Sequence, residues 1–399
     1  MKKLALLALA PFFGYSIATA SIPADADTAF VFTDVITIPT TSVKDQNKSG
    51  TCWAFAGTSY FENEIMRLGG DSLDISEMFF VRKCYEEKAE RFIRLYGQAN
   101  FSPGGAAPDV AHVWQRYGAM PEEAYPGINY GEEKHVHGEL QAALSAYLKA
   151  VVNKPNKRLS TSWRTVVNDI LDAYLGEVPE TFQYNGKTYT PRSFADAQPL
   201  KTEKYVPMSS FSHHPYYSTF PLEVPDNWLW DQYYNLPLDE FKAVVDNSLE
   251  NGFTVLWAAD ISEDSFKWDK GVALMPLGKN ESDLEGTELA RWVNLSTKER
   301  ENEKNNFNGP VDEINVTTEM RQDMFDRQET VDDHLMEIVG TATDQTGKRY
   351  YRVKNSWDST HIYKGYFYVS EQYFLAKTVS IMVNRDSIPK TIAAKLNLK

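Results

Sequence analysis

The order of two hydrophobic periodicities constrains this chain more than any other feature. Residues 52–68 carry Trp53, Phe55, Ala56, Tyr60, Ile65 and Met66 at helical spacing, and Gly69-Gly70 ends the run. Asp74-Ile75-Ser76-Glu77 opens a second helical stretch, a Gly/Pro loop at 103–108 precedes a short third one at 109–117, and 139–175 continues helical with a break near Asn156. Later the pattern changes. Runs at 254–258, 272–275, 335–343, 350–353, 366–369 and 379–383 are rich in β-branched and aromatic residues and are bounded by turn formers. Helices first and strands last predict an α+β fold of two packed subdomains. Residues 184–189 read as a hairpin around Asn185-Gly186, 241–249 as a helix, and 298–308 as a charged, exposed loop.

Composition narrows the possible roles. A net charge of -14 argues against nucleic acid as a partner, because phosphate binding needs a basic face. Lys2 and Lys3, an apolar run at 4–13 and Ala18-Thr19-Ala20 read as an export signal at 1–20, cut after Ala20, which implies a periplasmic or secreted protein. No later segment approaches the ~18 apolar residues of a membrane span, so no membrane anchor is expected in the mature form. The only cysteines are Cys52 and Cys84, too few for a disulfide scaffold.

Cys52 stands at the start of a predicted helix, just after the turn at Gly50. A helix N-terminus favours the thiolate over the thiol. Gln46 lies close enough to aim an amide at the same spot, beside the Cys52 backbone N–H, as an oxyanion would require. His334 opens the strand at 335–343, and Asn355 closes the next strand. A turn at 344–348 would bring those two ends together. Asn355 could then fix the tautomer of His334 and leave its other ring nitrogen for Cys52, with Trp357 covering the pair. His135 and His137, like His213 and His214, show no carboxylate at ligand spacing and read as loop histidines, so no metal site is expected.

Gln46, Cys52-Trp53-Ala54-Phe55, Asp333-His334 and Asn355-Ser356-Trp357 resemble the four active-site blocks of papain-type cysteine peptidases. The stretch from Cys52 to His334 far exceeds the roughly 130–150 residues of compact relatives. In this the chain is similar to the bleomycin hydrolase / aminopeptidase C branch, as it is at 73–77, 253–260, 271–276 and 364–370, and the likeness spans about 34–383. The resemblance implies a papain-like fold with a helical half, an antiparallel β-barrel-like half and a helical insertion at about 130–230. It implies Cys52 as nucleophile, His334 as base, Asn355 as its orienting group and Gln46 in the oxyanion hole, acting on peptides with no cofactor. It further implies an aminopeptidase gated by a C-terminal tail, here about 384–399, and a homo-hexamer. An open-cleft endopeptidase and a catalytically weak peptide-binding homologue are the alternatives. Two positions depart from the pattern: Ser49 where compact relatives carry a cysteine, and Asp358 where the family carries Gly.

Overall fold

The computed structural model describes residues 30–154, 157–279 and 281–398. The expected export signal lies outside the described residues. The helical half holds Cys52–Arg67, Glu77–Arg94, Pro108–Tyr117, Gly138–Val152 and Ser162–Leu175. Ser76 caps the second of these by accepting from the Phe79 N–H at 3.1 Å, as a residue at that boundary should. Their apolar faces meet in one core around Phe61, Phe79, Trp114, Leu144 and Leu171.

The other half is an 11-stranded sheet. At its centre His334–Thr343 pairs antiparallel with Val255–Ala259, Arg349–Lys354 and Thr33–Thr37. Thr378–Asn384 extends one side and Tyr366–Ser370 the other. The expected antiparallel core is present, but two short joins are parallel: Tyr366–Ser370 with Val272–Ala273, and Tyr205–Ser209 with Gln232–Asn235. The hairpin Phe182–Tyr184/Lys187–Tyr189 turns at Asn185-Gly186 as its sequence predicts.

Helices absent from the sequence reading include Gly286–Val293, Thr297–Lys304 and Thr318–Asp326. The second falls in the stretch expected as a loop. It buries none of its own side chains, so it leaves no apolar period to read, and a capping box between Ser296 and Glu299 sets its start.

Alternation along the central strands separates two cores. Leu256, Ala258 and Leu335 face the core that contains Cys52 and Trp53. Val255, Trp257, Ala259 and Met336 face the opposite way, toward the helix Leu238–Glu250. The helix Cys52–Arg67 therefore lies on one face of the sheet and Leu238–Glu250 on the other.

Close packing fixes the Cys52 helix sideways as well. A Cβ on Gly57 would stand 2.2 Å from the Val110 Cγ2 of the crossing helix. Gly57→Ala should therefore destabilise the fold by about 1–3 kcal/mol through overpacking. A lower urea midpoint at unchanged slope is the expected readout.

Candidate active site

The four expected residues converge at one end of the junction between the halves. Cys52 is the first residue of its helix, and Gly50, at φ +67°, supplies the left-handed turn that delivers the chain to it. The Leu335 N–H lies 3.5 Å from the Cys52 Sγ, which sets the thiol beside the residue following His334. The imidazole Nε2 is 2.8 Å from the Asn355 Oδ1. That oxygen also accepts from the Ser356 N–H at 2.8 Å, which fixes the amide orientation. A carbonyl oxygen can only accept, so Nε2 carries the hydrogen and Nδ1 is the basic nitrogen. Trp357 lies 4.9 Å from the His334 ring, backed by Trp268 and Phe266.

Gln46 is held by the same strand end. Its N–H donates to the Ser356 carbonyl at 2.8 Å, and its Oε1 accepts from the Ser356 Oγ at 2.7 Å. With the side-chain oxygen turned to Ser356, the amide N–H groups are the free end. Ser356 was not singled out by the sequence, yet it orients both amides of the site.

The departures from the family pattern are accommodated. Asp358 takes φ +60°, the left-handed turn a Gly would take, and its Oδ1 accepts from the Thr360 N–H and Oγ. Ser49 bonds its hydroxyl to Thr51. Cys52 and Cys84 are both free and buried. Asp333 accepts from the Ile261 N–H at 3.3 Å and so caps the neighbouring turn.

The expectation of a thiol lowered by the helix terminus meets a stronger opposing effect. Burial pushes Cys52 up to about 12, and the charges of Asp226 and Asp332 act in the same direction, against the N–H groups of Leu335 and Trp53. Burial likewise lowers His334 to about 4, with the Asn355 bond opposing. Burial therefore acts against a lone thiolate and against a lone imidazolium, so the two charges are favoured only as a pair.

The other histidine pairs also differ from their sequence reading. His135 and His137 are buried, and burial lowers each to about 4. His213 and His214 do meet a carboxylate: Glu223 folds back to 3.2 and 2.8 Å from their Nε2 atoms. The Gln322 side-chain N–H donates to the His213 Nδ1 at 3.0 Å, so its Nε2 carries a hydrogen toward Glu223. This is a hydrogen-bonded cluster, and no metal is assigned to it.

The Peptidase C1-like family matches residues 14–290 and 293–399. The chain belongs to this family. That makes it a cysteine-type peptidase. It is 22% identical to an aminopeptidase C of Streptococcus thermophilus, over 91% of this chain and 84% of the relative. It is 21% identical to a bleomycin hydrolase of Homo sapiens, over 89% and 82%. The crystal structure of pepw from Lactobacillus rhamnosis HN001 has a TM-score of 0.66 at 19% identity, covering 92% of this chain and 84% of that one, and shares the fold.

The tail follows another course than the resemblance implies. Beyond Asn384 the chain turns onto the helix Leu238–Glu250. Ile392 and Leu396 are buried there with Phe241, and Ser387 bonds to Ser248 at 2.7 Å. Through Leu398 the segment lies across the sheet from the Cys52 helix.

In Cys52→Ser no thiolate can hold an imidazolium beside it. His334 in that variant should titrate near 4, well below a free histidine, in an NMR pH series. A midpoint near 6.5 would show that the imidazole is not desolvated as described.

Proposed function

We propose that this protein is an exported thiol aminopeptidase in which Cys52, His334, Asn355 and Gln46 carry the reaction. The observation that supports it most is the His334–Asn355 bond, which leaves Nδ1 as the basic nitrogen, with the thiol held beside the next residue, Leu335. As Cys52 attacks the peptide carbonyl, its proton passes to Nδ1, so the C–S bond, the imidazolium and the oxyanion form together. The oxyanion takes hydrogen bonds from the Gln46 amide and the Cys52 N–H. The imidazolium then protonates the leaving amine, and the neutral imidazole draws a proton from water to open the thioester.

Exopeptidase action is supported by the shape of the cleft wall. Gly105 lies against the Trp53 ring, next to the nucleophile, and Gly104 beside it is capped: a Cβ there would stand 1.9 Å from the Asp226 Oδ2. Asp226 belongs to a loop at 222–231 closed around Asn227, whose side chain bonds the Leu222 and Asp231 carbonyls. Trp228 pins the loop to Asp109 at 2.7 Å. A loop held in this way shortens the room for substrate beside Trp53. An open-cleft endopeptidase would need that room. A tail gate, with 384–399 filling the cleft, would require the segment to leave the Leu238–Glu250 helix.

Three measurements test the reading. Fluorogenic peptides with free N-termini should be cleaved, blocked ones should not, and Cys52→Ala should abolish the activity. Equal cleavage of blocked peptides would establish the endopeptidase instead, and no cleavage of either would leave a peptide-binding role. Gln46→Ala should lower kcat by roughly 100- to 1000-fold with little change in KM. Truncation after Ser387 should lower the melting temperature and leave the free-amine preference intact; loss of that preference would restore the tail as the gate.

A further inference from the structure

Two carboxylates that the catalytic steps do not use share the cleft with the nucleophile. Asp226 and Asp332 come from segments far apart in sequence, and the Asp226 N–H donates to the Asp332 Oδ2 at 3.2 Å. Asp332 stands two residues before His334, and the charges of both acids bear on the Cys52 thiol. Both are half-buried rather than sealed. The Asp226 carboxylate is fixed in place: its Oδ1 accepts from the Ser102 Oγ at 3.2 Å and the Asn100 Nδ2 at 3.3 Å, and its Oδ2 stands over Gly104.

This arrangement is costly unless something offsets it. Two carboxylates brought together beside a thiol raise one another's affinity for protons and oppose the thiolate that the reaction must form. Lys88, which donates to the Ser102 carbonyl at 3.1 Å and to the Gly104 carbonyl, offsets part of the Asp226 charge, and Asp332 has no such partner among the groups that act on it. Asp109, Asp333 and Cys52 also face the pair and bring no positive charge. A substrate cation seated there would relieve the repulsion, and its own charge would favour the thiolate on binding.

We infer that Asp226 and Asp332 form the subsite for the α-ammonium group of the substrate's first residue, so that an insertion loop and the strand entrance together select free N-termini. The inference rests on the peptidase reading above for the position of the scissile bond. The alkylammonium of a lysine side chain offers related chemistry, and the capped Gly104 argues for the chain terminus, because little peptide fits beyond it.

The pH dependence follows from the same groups. Burial and the Asp226 charge push Asp332 up to about 7. Asp332 ionises as pH rises through that value, while an α-ammonium loses its proton near 8. Binding of a free-amine peptide should therefore strengthen from pH 5 to about 7.5 and then weaken, and an acetylated peptide should show neither limb.

Binding to full-length Cys52→Ala by calorimetry tests the pair without turnover. The probes are alanyl-phenylalanine amide, its acetylated form and acetyl-lysyl-phenylalanine amide. The free-amine form should bind at least about tenfold tighter than the acetylated form. Asp226→Asn and Asp332→Asn, each added to Cys52→Ala, should remove that margin and leave the acetylated form unchanged. An undiminished margin in both variants overturns the assignment, as does tight, Asp-dependent binding of the acetyl-lysyl form. Should the variants fail to fold, a pH-independent margin in Cys52→Ala itself overturns it. The peptidase reading is judged separately, by turnover of the unmodified enzyme.

Discussion

Everything in the site depends on one register, that of the Cys52 helix against the strand that begins at His334. Glu337 sets it. Its two oxygens accept from Ser59 and Asn63 of the helix at 2.7 Å each, and Lys354 of the next strand bonds Ser59 at 2.8 Å. All four residues are buried, so a slip would strand charges without partners inside the protein. A helix rotated by one residue, or a strand moved by one, would take the thiol away from Leu335 and His334. The buried network thus contributes to function through alignment more than through net stability.

Once that register holds, few further parts are needed. Ser356 touches both Asn355 and Gln46, so one short segment at the strand end fixes the tautomer of His334 and the direction of the Gln46 amide. The cost of desolvating Cys52 and His334 is carried by the rest of the fold. It disfavours a lone charge on either partner.

The periodicities gave the main helices and the central strands because each has one face buried and so repeats in sequence. The convergence of Cys52, His334, Asn355 and Gln46 was legible because all four sit at or near element ends, where helix and strand starts are marked by turn residues. Asp226, Trp228 and Ser356 were not. Their meaning comes from contacts across long stretches of chain, and nothing local distinguishes Asp226 from a solvated loop acid. The Asp332-Asp333 pair just before His334 was the available hint. Glu223 shows the same limit: it reaches His213 and His214 only because the loop between them folds back. The exposed helix at Thr297–Lys304 was missed for the opposite reason, having no buried face to write a period.

The anchoring of residues 385–398 on the Leu238–Glu250 helix separates two tasks that a single segment could have combined. On this structure residues 385–398 act as a rivet for the second core, while the loop around Asn227 lies over Gly104, beside Trp53. Substitutions drifting into the two regions would then leave different marks. Changes near Ile392 and Leu396 would be filtered by how long the fold survives, and changes in the loop by which peptides are consumed. Selectivity in such a protein can diversify by exchanging one surface loop, without touching the elements that hold the thiol and imidazole together.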